Sequence, residues 1–528
     1  MKVRPRTKPP AKGQPPMQPA QAFSFPAPIR GLILNENIAM ASQGGAAVLD
    51  NWICTTTGIR ARAGTSPHIP LGGKVRSMFA YRSGGVEAAF AARTAAIYPI
   101  TASSLTAPTA AVTGQTSGYY STEQFGTAGG DFLYAVNGSD KARLFNGTTW
   151  TQIDGTSTPA ITGADTANFS HVWSFASRLF FVKKNSTMCY YLPVDSIAGA
   201  VSEFSLAGIF KRGGNLLYGA TWSLDAGDGL DDKCVFVSDQ GEVAIYEGTN
   251  PGDAAAWSKA GVYSITPPLG RKAKMQAGGD LLIATQTGLV PISQAISRDI
   301  AALEMSSVSK NITPLWQSQA FALSAVGWEI EKWPTENVMV ITQPSDSEDT
   351  CLVANLQTGA WSKFTGLNVQ CLVQFDNSLF FGGADGTVYR FESSGSDSGT
   401  AYTAAYLGKS EELGVSGMQK TVAQVRAKFR GKTKVKPLVT AKTDYNENLS
   451  SPPNASTEVG AGAIWGVSKW GEATWGGATV STQAVWSAVG RTGFAVAPEV
   501  QVTFGGVAKP DVELVAIDAT FHTGALVT

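Results

Sequence analysis

The chain is cut into short pieces. From about residue 29 to 400, brief apolar and β-branched runs are broken again and again by Gly, Asn and Asp, the pattern of strands joined by tight turns. Leu133-Tyr134-Ala135-Val136 runs into Asn137-Gly138, and Ala142 to Phe145 runs into Asn146-Gly147. Each Asn-Gly pair is read as a type I′ hairpin turn, which needs positive φ at both central residues. Asp239-Gln240-Gly241, Thr358-Gly359, Gly382-Gly383 and Asp385-Gly386 continue the punctuation. So many short strands must hide their edges, and radial repetition does so.

Three stretches share one plan of strand, turn, strand and then an aromatic strand: 131–150, 234–257 and 338–361, with 75–98 and 371–391 as looser copies. A spacing of roughly 45 to 65 residues is near the four-stranded blade of a β-propeller. The expected fold is therefore all-β, a propeller of about six blades over 29–400. Ile292, Ile296, Ile300 and Leu303 recur at helical spacing, which predicts one amphipathic helix near 292–305, packed between blades. After Gly395-Ser396-Asp397-Ser398-Gly399 the pattern changes. Residues 401–528 read as a C-terminal β-sandwich-like extension. Residues 1–28 hold eight prolines and read as an extended, polyproline-like arm.

With 43% hydrophobic and 16% charged residues, the chain is excluded from the disordered class. No apolar run approaches the roughly 18 residues of a membrane span, so no stable membrane insertion is expected. The basic N-terminus lacks the apolar stretch of a secretory signal. Cys54, Cys189, Cys234, Cys351 and Cys371 are odd in number and form no C-x-x-C pair, the pattern of buried thiols in a reducing compartment. Only His68, His171 and His522 are present, which leaves little for imidazole-based metal sites or triads.

The formal net charge is zero, yet the distribution is uneven. The arm carries Lys2, Arg4, Arg6 and Lys8, and residues 1–30 contain no acid. Residues 409–442 hold nine basic residues against Glu411 and Glu412. Within them Val425, Ala427 and Phe429 alternate with Arg426, Lys428 and Arg430, followed by Lys432 and Lys434. This is a half-buried strand with a basic outer face, suited to phosphate or to a subunit contact. Trp465-Gly466, Trp470-Gly471 and Trp475-Gly476 form a further cluster, read as core or interface anchors.

Catalytic motifs are missing: no Walker A loop, no G-x-S-x-G and no H-E-x-x-H occurs. The expectation is a protein that is not an enzyme and carries no cofactor. The densest acidic run is DAGDGLDD, with Asp225, Asp228, Asp231 and Asp232. It is a weak candidate for Ca²⁺, and a solvated acidic turn is the plainer reading.

Residues 44–68, GGAAVLDNWICTTTGIRARAGTSPH, resemble the N-terminal segment of the tail nozzle proteins of short-tailed bacteriophages, also called tail tubular protein B or tail hub proteins. The matching features are Gly45-Ala46, Leu49-Asp50-Asn51-Trp52, Gly58 and Arg62-Ala63-Gly64. Residues 213–248 and 257–293 are similar to the central region of that family, and 465–477 to its C-terminal region. The motifs are turns and strand anchors.

The resemblance implies a structural virion protein, a propeller subunit of a hexameric ring that extends the DNA channel of the tail. Such a ring retains packaged double-stranded DNA and passes it at ejection without sequence recognition. Implied partners are further copies of the chain, the adaptor ring and tail fibre, spike or needle proteins; assembly would occur in the host cytoplasm. An acidic channel wall would keep DNA from sticking. The competing expectation is a carbohydrate- or receptor-binding propeller, possibly a glycan hydrolase, with carboxylates and aromatics converging on its funnel.

Overall fold

The aromatic that closes each of the three repeat units marks the same structural place. Trp150, Trp257 and Trp361 each begin the fourth strand of an antiparallel run: Trp150–Ile153 and Trp257–Ser264 in four-stranded sheets, and Trp361–Thr365 within a longer one. The repeat therefore spans the second, third and start of the fourth strand. The first strand of each sheet, hydrogen-bonded to the second, falls outside it. In the computed structural model, which describes residues 20–36, 43–223, 232–322, 327–345, 349–455 and 480–524, seven blades of this kind follow one another, the fifth with three strands and the sixth part of a longer sheet.

Their first strands begin at Ser77, Ser121, Phe169, Leu216, Lys274, Glu329 and Val369. These strands pack side by side, and Val369–Phe375 of the last sheet lies against Ser77–Ser83 of the first, so the ring closes. The fold is a β-propeller with seven blades, one more than the central expectation. Its closure is made by the chain's own beginning: Gly64–Pro70 pairs antiparallel with Thr387–Ser394 as the outer strand of the seventh blade. That strand lies far from the sheet it completes, so local repeat-counting assigns it to no blade.

The turns are longer than expected. Asn137 does not adopt positive φ; only Gly138 does, at +69°. The Asn137 Oδ1 accepts hydrogen bonds from the Ser139 and Asp140 amides at 3.0 and 2.8 Å, and the next strand begins only at Ala142. Asn146 treats the Thr148 and Thr149 amides in the same way. The side chain supplies the acceptor that a two-residue turn would take from the backbone.

The single helix expected near 292–305 is broken into pieces. Ile292–Ser297 ends where Arg298 becomes extended, and the Asp299 carboxylate caps the 3₁₀ turn Ile300–Ala302 by accepting from the Ala301 amide at 2.9 Å. Leu303–Ser306 follows, and a separate helix, Thr313–Ala322, comes next. These pieces stand where the fifth blade, with three strands, lacks a fourth. Ile292 and Leu303 are buried with Val235, Val237 and Ile283, so the packing role between blades holds.

A second β body flanks the ring. Its first sheet orders Trp52–Cys54, Ile59–Ala61, Val512–Thr523, Lys420–Gly431 and Ser481–Gly493, with Gln21–Pro26 also paired to Val512–Thr523. Its second sheet extends the sixth blade, adding Ala46–Asp50, Tyr402–Gly408, Val496–Phe504 and Leu438–Thr443. One core lies between them, built from Phe25, Trp52, Val425, Phe429, Leu514 and Ile517 on one side and Leu49, Trp361, Tyr406, Val500 and Val502 on the other. Two boundaries move accordingly. The propeller runs from Gly64 to Ser394, because residues 46–61 belong to the second body. The arm's end is a strand: with Phe25 buried in the core, Gln21–Pro26 adds to an edge already formed, which needs no nucleation of its own.

Candidate functional site

Residues 44–68 form the joint between ring and second body. Asn51, at φ +61°, turns the chain between the strands on either side of it. Its Oδ1 accepts from Arg62 Nε at 2.7 Å and from the Thr365 amide at 2.9 Å, and its Nδ2 donates to the Thr403 carbonyl at 2.7 Å. Arg62, fully buried, donates to both carboxylate oxygens of Asp397 at 2.9 and 2.6 Å and lies 4.1 Å over the Tyr402 ring. Asp397 also accepts from the Thr65 amide. Beside it Arg60 pairs with Glu336 and Glu392. Gly64 is required by close approach: a Cβ there would stand 2.2 Å from the Ser396 carbonyl oxygen. These residues fasten the first strand of the propeller to its last turn and to the second body, and none of them lines the channel cavities.

The inner strands of the ring enclose the second feature. A central cavity of about 290 Å³ is lined by Arg82, Glu123, His171, Arg271, Lys272, Lys274, Glu329 and Glu331, among others. It adjoins a mouth of about 350 Å³ whose walls include Arg76, Tyr119, Tyr120, Arg271 and Lys272. Alternation along each inner strand sends every second side chain inward, so Glu329 and Glu331 both face the channel from one strand.

Burial dominates the chemistry here. It raises Glu331 to about 7, helped by the negative charge of Glu329. It also raises Glu123 and Glu329, although Ser174 donates to Glu123 at 2.5 Å and Lys272 stands 3.4 Å from Glu329. His171 is pushed well down by burial and by Lys274, so its imidazole is neutral. Its partners set the tautomer: Nε2–H donates to the Gly219 carbonyl at 3.0 Å, and Nδ1 accepts from Ser121 Oγ at 2.6 Å. Lys274 is lowered by burial and partly restored by Glu123; its ammonium donates to the Gly219 carbonyl at 2.6 Å. Sequence reading missed this cluster. Its members are spread over five blades, and the only local signal is alternation at single positions.

The predicted basic strand lies elsewhere. In Lys420–Gly431, Val425, Ala427 and Phe429 are buried and Arg426, Lys428 and Arg430 point outward. Its outer face is partly neutralised. Across four strands, Ser24, Asp518, Arg426 and Trp486 stand in register. Asp518 receives Arg426 Nε at 2.8 Å, Lys428 at 3.0 Å and Ser24 at 2.9 Å, and Arg426 lies 4.6 Å over the half-exposed Trp486 ring. Arg430, Lys432 and Lys434 remain exposed. None of these lysines and arginines lines the propeller's cavities.

Lys2, Arg4, Arg6, Lys8, Asp225, Asp228, Asp231, Trp465, Trp470 and Trp475 lie outside the described residues. Asp232 precedes the strand Lys233–Ser238. Among the described residues no group of three or more His, Cys, Asp or Glu is arranged to hold a metal ion. All five cysteines are buried and unbridged, and no described helix is long and apolar enough to cross a membrane.

Ring, clasp and channel define the class: a β-propeller joined to a second β body through a shared sheet. No family model matches the chain, and no curated protein matches it. Among solved structures it is similar to the computationally designed protein Ika8, at 9% identity and TM-score 0.33, covering 62% of this chain and 99% of that one. YCF48 bound to D1 peptide matches at 13% identity and TM-score 0.35, covering 61% and 95%. Sqt1 of Saccharomyces cerevisiae matches at 13% identity and TM-score 0.34, covering 62% and 85%.

Proposed function

We propose that this chain is a structural subunit of an oligomeric ring, the nozzle of a short phage tail, through which DNA is retained and then passed. The resemblance of residues 44–68 supplies the identity of the ring, and those residues act here as the clasp between the propeller and the second body. The observation that carries the assembly is the strand Ser481–Gly493. It is thirteen residues long, holds Arg491 as its only charged side chain, and among the described residues pairs on one side only. An edge of that length and neutrality calls for a neighbour. Arg430, Lys432 and Lys434 stand on the same body, available to an acidic partner. Mass measurement of the purified chain tests this reading. A hexamer supports it; a monomer at micromolar concentration overturns it.

A second reading, a glycan-binding propeller, possibly a hydrolase, is favoured by the convergence of Glu123, Glu329 and Glu331 in the channel. It predicts a monomer or trimer that turns over an oligosaccharide, with loss of turnover in Glu331→Gln.

A further inference from the structure

Charges in the channel do not cancel. Arg76, Arg82, Arg271, Lys272 and Lys274 line the cavity and its mouth, against Glu123, Glu329 and Glu331. Most have a partner of opposite sign: Arg82 bonds Glu87 at 2.7 Å, Lys272 stands beside Glu329, and Lys274 is stabilised by Glu123. Two do not. Arg271 donates to the Ser170 carbonyl, a neutral acceptor, and no carboxylate offsets its burial. Arg76 donates to the Tyr119 hydroxyl at 2.7 Å and sits 5.3 Å over that ring, again a neutral partner.

Both arginines line the same mouth, together with Tyr119, Ser77 and Gln370. A guanidinium presents planar paired donors matched to carboxylate or phosphate oxygens. Partial removal from water strengthens that attraction. Tyr119, half exposed, offers an aromatic face beside them. A space of about 350 Å³ is at the small end of ligand pockets and holds a monosaccharide-sized body.

We propose that the mouth of the propeller channel binds a small oxyanion-bearing sugar, its carboxylate or phosphate held between Arg76 and Arg271 and its ring set against Tyr119. Nothing in this depends on whether the chain is a monomer or a ring, so the site stands or falls apart from the assembly.

Calorimetric titration of the full-length protein at low salt tests it with three probes: glucuronate, glucose 6-phosphate and glucose. One or both anionic sugars should bind at about millimolar Kd or tighter, with glucose at least tenfold weaker. Arg271→Gln and Arg76→Gln should each weaken the anion about tenfold. Arg271 also bridges to Ser170 and its loss could disturb the fold, so Arg76→Gln, at a more exposed position, is the second variant. Melting curves then show that the folded state is retained. Equal affinity for glucose, inorganic phosphate binding as tightly as glucose 6-phosphate, or no anion binding at about 10 mM overturns the proposal.

Discussion

Replacing Arg62 with Met keeps an apolar stem over Tyr402 and deletes the charge at the centre of the clasp. The Asp397 carboxylate, whose side chain is 12% exposed, then stays in a poor solvent without its cation. Breaking a buried ion pair from one side costs about 3–5 kcal/mol. Here the lower figure applies, because the Thr65 amide still donates to Asp397 and the Thr365 amide still donates to Asn51. A chain of this size has a steep urea dependence, so a loss of about 3 kcal/mol lowers the midpoint by about 1 M. The assay is urea unfolding followed by tryptophan fluorescence, since Trp52 and Trp361 lie in the adjoining core. The double substitution Arg62→Met, Asp397→Leu should regain much of the loss, as both charges are gone. A loss below about 1 kcal/mol in the single variant, or no recovery in the double, would refute the assignment of the pair as the fastening between ring and second body.

Two further outcomes are expected. Gly64→Ala drives a Cβ into the Ser396 backbone, which cannot yield as a side chain would. It should cost about 3 kcal/mol and, in a chain of 528 residues, lower Tm by about 3 °C; an unchanged melt would show that ring closure tolerates the shift. Glu331, raised from its ordinary value to about 7, holds its proton more tightly folded than unfolded. Its contribution is therefore fully favourable below the unfolded value and is lost as pH rises towards 7. Glu331→Gln should gain on the wild type between pH 5 and 8, by about 1–2 kcal/mol once channel water is allowed for; parallel melting curves across that range would defeat the account.

How much was legible depended on range. The strand-turn-strand-Trp unit was plain because its parts are neighbours in sequence, and Trp150, Trp257 and Trp361 fall at one structural position. Alternation at Val425, Ala427 and Phe429 placed the basic strand and its buried face correctly. What failed was non-local. Gly64–Pro70 belongs to no local repeat and serves as the last strand of the seventh blade. Gln21–Pro26 lies in proline-rich sequence yet takes its order from Val512–Thr523. The channel cluster draws on Glu123, His171, Arg271 and Glu329, whose shared direction only ring closure creates. Asp518, the acid that neutralises Arg426 and Lys428, sits on a different strand, so a local charge count overstated the basic face.

The propeller is an insertion. Gly64–Ser394 lies between Ile59–Ala61 and Tyr402–Gly408, two strands of the second body. During synthesis from the N-terminus, Trp52 and Ile59 emerge long before Leu514, Ile517 and Phe521, against which they are finally covered. The ring can draw its blades together while the second body still lacks half its strands. Folding then has a fixed order: the seven blades assemble, bring residue 64 to residue 396, and thereby deliver the waiting N-terminal strands to the C-terminal ones. Truncation anywhere after the ring leaves an apolar half-sheet without a lid, and such fragments should be held by chaperones or precipitate rather than accumulate.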